Sequence, residues 1–393
     1  MSGAWYLGSR YLAFHKLKST ILIASITLML FLPAATRVLV SDSAAALTAR
    51  ADRTPLLLGA AGSPLELVLN SLYFHAGQPS AVSNETLAQM QATGLGKFIP
   101  LNTRFHSRGN PIVGTTLDYF TFRGLKLAGG RQFGMLGECV LGAGVAVQQG
   151  VKSGGYVVSS PETVFDIAGV YPLKMKVAGV LEPSGSADDD AIFVDIRTSW
   201  VIQGLGHGHQ DLARPEAGAG VLSRKDGVIT ANASVSQYAE ITVDNVAEFH
   251  FHGDTSQFPL TSIIAVPPDD KNATLLRGRY LSNDDGLQLV VPSAVLNELL
   301  DTVFTVQNYV ILGLAILGLA TVAVIMLVFL LSQQLRRGEF HTLSRIGASK
   351  TYIGLLVASE LAFVFVGSLL LAMLLIFIMR QYALQILQTF LTF

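Results

Sequence analysis

Two short histidine clusters hold the residues best suited to chemistry. Gly206-His207-Gly208-His209 and Glu248-Phe249-His250-Phe251-His252-Gly253-Asp254 together carry half of the chain's eight histidines. In the second cluster polar residues alternate with Phe. A strand there places Glu248, His250, His252 and Asp254 on one face, because successive side chains of a strand point to opposite faces. Imidazole nitrogens and carboxylate oxygens are ligands that Zn2+ and Cu2+ accept. His207 and His209, on a glycine-rich loop, can complete the shell. The expectation is a zinc-type site drawn from His207, His209, Glu248, His250, His252 and Asp254. The competing reading is a solvent-facing strand edge beside a polar loop, since about forty residues separate the clusters.

No other residues point to catalysis. The chain lacks G-x-x-x-x-G-K-[ST], and the GASKT at Gly347 to Thr351 does not have the spacing that cradles nucleotide phosphates. G-x-S-x-G and H-E-x-x-H are absent too. Cys139 is the single cysteine, so no intrachain disulfide can form, and its apolar neighbours mark it as a core residue. His15, His75, His106 and His341 stand alone. Asp188-Asp189-Asp190 reads as a turn with solvated carboxylates before a strand. The chain is therefore expected not to be an enzyme.

The elements that must position the clusters follow from hydropathy. The 393 residues are 50% hydrophobic and only 14% charged, against about 25% charged in soluble domains. A net charge of −1 gives no electrostatic reason to expect nucleic acid as a partner. About 20 apolar residues cross a bilayer as a helix. Residues 19–40, 303–332 and 354–379 meet that length. Residues 1–18 read as an amphipathic elbow helix at the cytoplasmic face. The basic start and apolar core of the first span resemble a signal peptide, but the apolar run continues through Val38-Leu39-Val40, which favours an uncleaved span. Residues 333–353 form a short loop with Arg336, Arg337, Arg345 and Lys350, which the positive-inside rule places in the cytoplasm. Leu335, Phe340, Leu343 and Ile346 recur in it at helical spacing, with Gly347 as a stop. Either an interfacial anchor or a docking helix has this pattern.

Residues 41–302 then lie outside the cytoplasm. Ser83 reads as the N-cap of a helix, and Phe98–Leu101, Pro111–Thr115, Tyr156–Val158, Leu173–Val180 and Ala191–Asp195 read as short strands. Pro64–Phe74 fits a helix or a buried strand. The fold class is α+β: a membrane protein with about three transmembrane helices and a large mixed α/β extracytoplasmic domain between the first and second. The tail, 380–393, is too short to cross again.

The loop also resembles a family. RRGEFHTLSRIGASKTYI, with Glu360 early in the following span, is similar to the coupling region of MacB/FtsX/LolC-type ABC permeases, roughly R-R-x-E-x-x-x-L-R-A-L-G-A-S/T-x-x-x-I. Arg336, Arg337, Glu339, Leu343, Gly347, Ala348, Ser349 and Ile353 match, while Ser344, Arg345 and Ile346 depart. Gly130-Arg131-Gln132-Phe133, then Val140-Leu141-Gly142 and Val145-Ala146, resemble text of the MacB periplasmic core domain. The stretch from Leu173 to Ile196 adds to it. The resemblance implies a multi-pass permease of the bacterial inner membrane with a periplasmic domain and a subdomain inserted at about 196–261. It implies a homodimer working with a separate cytosolic ATPase that holds the ATP, and it allows a periplasmic binding or adaptor protein. Arg336, Arg337, Glu339, Leu343, Gly347, Ala348 and Ser349 would couple to that ATPase. The histidine clusters add transition-metal transport to this expectation. An FtsX-like regulator of a periplasmic hydrolase or sensor, and LolC-like lipoprotein transport, are the alternatives. The family usually has a fourth span, which this sequence lacks.

Overall fold

The structure is a computed structural model. It describes residues 2–160, 172–208, 221–225, 228–231, 238–281 and 286–391, with 2, 221–225, 228–231 and 383–391 described as backbone only. The chain divides into two units, one of residues 1–47 and 297–393 and one of residues 48–296.

The second unit is built on a ten-stranded mixed sheet. β1 (Leu56–Ala60) lies deep in it, with Leu56, Leu57 and Leu58 all at most 2% exposed. Both faces of the strand are covered, which is why the sequence there runs apolar without alternation. Each such leucine contributes about 1.5–3 kcal/mol relative to exposure. β1 lies between β15 (Ser262–Val266) and β16 (Leu287–Val290), antiparallel to both. From β15 the sheet continues through β3 (Lys97–Ser107), β4 (Asn110–Thr115), β9 (Ile192–Asp195), β6 (Glu138–Leu141) and β8 (Lys174–Leu181) to β5 (Leu127–Gly130). β7 (Tyr156–Val158) also pairs with β8. The β4–β9 and β6–β8 pairs are parallel and the other pairs in the sheet antiparallel. The expected strands are all present.

Pro64–Phe74, which fits either element by sequence, is the helix α3 (Pro64–Tyr73). Ser63 accepts the Glu66 N–H, Pro64 opens the first turn, and Phe74 closes it in the left-handed region. These are ordinary start and stop signals. Ser83 likewise caps α4 (Asn84–Ala92), accepting the Thr86 N–H. Cys139 is fully buried in β6, and burial pushes its thiol well above the ordinary range.

Three helices have the length and apolar content to cross a membrane: Lys16–Asp52, Pro292–Leu335 and Lys350–Tyr382. They belong to α2 (Lys16–Asp52), α9 (Pro292–Leu335) and α11 (Lys350–Leu391). α2 and α9 each run past the expected end of the span, so their ends are residues of the sheet unit. Ala51, near the end of α2, and Leu296, in the second turn of α9, lie in one apolar cluster with Leu57, Leu72, Ile99 and Phe193. In the first unit, α1 (Ser2–Phe14) packs on α11. The contact is close because Gly8 faces Ser359, whose hydroxyl also donates to the Ala4 carbonyl.

Candidate functional site

Three of the nominated metal ligands converge. β10 (Gly206–Gly208) pairs antiparallel with β13 (Phe249–Phe251), and the register sets His207 directly opposite His250. On the other face of this ribbon Gly206 faces Phe251 and Gly208 faces Phe249. A Cβ on Gly206 would stand 2.6 Å from the Phe251 ring, so glycine is what lets the ring lie across the strand. Phe251 in turn packs edge-on against Trp200 and, at a tilt, against Phe258. The Phe side is thus held by the core, which turns the histidine side outward. The chain continues in the same alternation, and His252 donates its backbone N–H to Leu205 O at 2.9 Å. His252 therefore joins the same face. Ring centroids are 5.0 Å apart for His207–His250, 4.6 Å for His207–His252 and 4.8 Å for His250–His252. One nitrogen from each ring lies within 4.8 Å of the others.

The two carboxylates do not join them. The strand is only three residues long, and Glu248 belongs to the 3-10 turn before it. There Glu248 accepts the Tyr238 hydroxyl at 2.7 Å. Asp254 caps a following 3-10 turn, accepting the Ser256 N–H at 2.9 Å. The expectation of four ligands on one extended strand is corrected accordingly. His209 lies outside the described residues.

The basic loop forms α10 (Arg337–Arg345). Its end has the hydrogen bonds of a Schellman motif. Ala348 N–H reaches Leu343 O at 3.0 Å, Gly347 N–H reaches Ser344 O at 3.2 Å, and Gly347 has φ +102°. Ser349 then caps α11 by accepting the Tyr352 N–H at 3.2 Å. Leu343, Gly347, Ala348 and Ser349 are thereby accounted for as turn chemistry. Arg336 is buried and ordered from three sides. Its Nη1 donates to both Glu360 oxygens at 2.8 and 2.9 Å, and its Nε donates to Glu339 at 3.0 Å. Its guanidinium lies 3.6 Å from the centroid of the Tyr11 ring, a cation–π contact. Arg337 stays exposed, as do Leu335 (89%) and Ile346 (76%).

A third constellation is visible only in the folded chain. The aspartate run is a turn before β9, but Asp188 is buried rather than solvated. Arg50, near the end of α2, donates to it through Nη1 at 2.6 Å and Nη2 at 2.8 Å. Nη2 also donates to the Tyr119 hydroxyl, which donates to Asp188 at 2.7 Å. Burial opposes ionisation of Asp188, and the facing Arg50 charge outweighs it, holding the carboxyl below its usual range. Burial raises the Tyr119 hydroxyl. A sequence cue existed: Arg50 follows the alanine-rich stretch Ala44-Ala45-Ala46 on an extension of the first apolar helix, where a buried arginine needs a partner.

Comparison with known proteins follows this geometry. Residues 20–233, more than half of the chain, match the family model described as MacB-like periplasmic core domain. The chain belongs to that family. Together with its three apolar helices, this makes it a membrane protein with an extracytoplasmic domain of the kind carried by ABC transporter permeases. Among solved structures, it is similar to the extracellular domain of the noncanonical ABC-type transporter YknZ from Gram-positive bacteria. That match has 11% identity and a TM-score of 0.34, covering 60% of this chain and 98% of the other. The periplasmic region of MacB from Actinobacillus actinomycetemcomitans matches with 12% identity and a TM-score of 0.32, covering 63% and 92%. A domain of a putative permease protein from Porphyromonas gingivalis matches with 11% identity and a TM-score of 0.24, covering 61% and 88%. No curated protein matches.

Proposed function

We propose that the chain is the transmembrane permease subunit of a MacB-like ABC transporter of the bacterial inner membrane. It carries the motion of a separate cytosolic ATPase to its periplasmic domain. The observation that carries this reading is the family match, supported by the way helix ends are fastened. Arg336 ties the loop before α10 to α11 through Glu360 and to α1 through Tyr11. Arg50 ties the end of α2 to the sheet unit through Asp188. The ATPase would dock on what the turn leaves exposed: Leu335, Arg337 and Ile346, with His341 and Arg345 beside them. The subunit works as a homodimer, and hydrolysis takes place on the partner subunit.

The histidine triad supports a transition-metal cargo such as zinc. The test is to reconstitute the chain with its ATPase in nanodiscs. The expected result is ATPase stimulation that Ile346→Asp and Glu360→Gln abolish while the chain remains folded. An ATPase indifferent to both substitutions would refute the coupling reading.

A further inference from the structure

We propose that His207, His250 and His252 form an exchangeable three-imidazole site for a borderline divalent ion of the Zn2+ class. Its fourth position is open to water or to a donor atom carried in with the ion. The site stands on geometry alone; that the ion is cargo rests on the permease reading above.

The three rings form a nearly regular triangle with centroids 4.6–5.0 Å apart. Tetrahedral zinc with Zn–N near 2.05 Å needs ligand nitrogens about 3.3 Å apart. The present separations reach at most 4.8 Å. Side-chain rotations of accessible rings close that difference, while the paired backbones of β10 and β13 stay in register. His250 Nδ1 lies 3.1 Å from the Glu248 carbonyl oxygen. The tautomer that donates to this carbonyl places the ring lone pair on Nε2, the arrangement by which ligating histidines are oriented.

The donor set selects the ion. Three imidazole nitrogens suit Zn2+, Cu2+ or Ni2+ and fit poorly with Ca2+ or Mg2+, which take oxygen ligands. No thiolate can join, because Cys139 is the single cysteine and is buried in β6. Glu248 and Asp254 are engaged by Tyr238 and Ser256. Structural zinc sites close their shell with four protein ligands, whereas sites with three protein ligands keep an open position. Among the described residues the site offers three ligands on an accessible face, the donor number of sites that keep an open position. The hairpin β11 (Val221–Lys225) and β12 (Val228–Ala231) lies between β10 and β13 in sequence. A bound ion bridges β10 and β13, so loading the site stiffens the ribbon they form.

The test uses the full chain in detergent, titrated with Co2+ as a coloured stand-in for Zn2+. The expected result is one Co2+ per chain with the visible bands of a four-coordinate ion, displaced by Zn2+. Adding mercaptoacetate should introduce a sulfur-to-cobalt charge-transfer band by filling the open position. His250→Ala and His207→Ala should weaken binding by more than about a hundredfold, beyond the 10–100-fold that loss of an outer hydrogen-bond partner costs. His75→Ala should not change it. Thermal unfolding without metal checks that each variant folds like the parent, with His250→Gln as the second variant. Absence of Co2+ binding, or binding kept in the folded His250 variants, would overturn the site. A spectrum indifferent to the thiol would overturn the open position. Binding as expected, with no effect of Zn2+ on the ATPase rate of the assembled transporter, supports the site and overturns the cargo role.

Discussion

Replacing Asp188 by Ala tests the fastening of α2 most directly. In the native unit Asp188 accepts two hydrogen bonds from Arg50, one from Tyr119 and one from Ser186 at 3.0 Å. Arg50 is 8% exposed, so truncating Asp188 leaves a guanidinium without its counter-charge inside the protein. Breaking one side of a buried pair costs about 3–5 kcal/mol. For a unit of this size about 2–4 °C of Tm accompany each kcal/mol, which sets the expected fall at roughly 6–20 °C. The neighbouring Asp189 is the internal control. It accepts only Ser184 and Gly185 at an exposed turn, and its loss should cost no more than about 1 kcal/mol. The double variant Arg50→Met, Asp188→Leu removes both charges and should recover most of the loss, since an apolar pair of similar volume substitutes well. The assay is thermal unfolding of the purified chain in detergent, followed by circular dichroism. The reasoning fails if Asp188→Ala is no more harmful than Asp189→Ala, or if the double variant is as unstable as the single one.

The remaining predictions concern acid, metal, the loop and the ribbon. Asp188 and Glu138 both have carboxyls held below their usual range: burial opposes ionisation in each, and the paired arginines Arg50 and Arg131 help to outweigh it. Their contribution is full above the unfolded carboxylate range near pH 4 and is lost as pH falls from there through the lower folded values. Acid unfolding should therefore steepen below about pH 4, and Asp188→Asn should flatten it. Saturating Zn2+ should raise the stability of the sheet unit, by about 2.7 kcal/mol at a hundred times the dissociation constant, and this gain should vanish in His250→Ala in the same unfolding assay. Arg336→Lys should uncouple the ATPase nearly as fully as Glu360→Gln, because one ammonium cannot serve Glu339 and Glu360 from two nitrogens; ATP hydrolysis in nanodiscs reads this. Gly206→Val should disrupt the ribbon by driving a side chain into the Phe251 ring, and should abolish Co2+ binding without altering any histidine.

Much of the architecture could be read from local patterns. Ser83 and Gly347 mark helix ends by chemistry that acts within five residues, and the structure uses each as such. The three apolar helices follow from length alone. The alternation in Phe249–His252 foretold which residues share a face. It could not foretell that the strand stops at Phe251, because strand length depends on how far β10 extends opposite it. Nor could it exclude Glu248 and Asp254, whose partners are set by turns. Asp188 departs from its local pattern for the same kind of reason. Its partner Arg50 is far away in sequence, and a run of three aspartates looks solvated until tertiary contact buries one of them. In the loop, Leu343, Gly347, Ala348 and Ser349 serve the turn, a role that needs hydrogen bonds to see.

The order of strands bears on how the protein can be made. β1 begins four residues after the end of α2, yet both of its neighbours, β15 and β16, come at the far end of the sheet unit. Leu57 sits between Ile264 and Val290, and the cluster beneath it closes only when Leu296 arrives. During synthesis the first span is therefore complete long before its adjoining strand has anything to pair with. Contacts this distant in sequence form slowly and leave apolar edges open meanwhile. A ribosome stalled before residue 262 would leave a membrane-tethered chain whose Leu56-Leu57-Leu58 has neither sheet neighbour. Such a chain would be a target for chaperones and proteases outside the cytoplasm, and release would come with the last strands of the sheet.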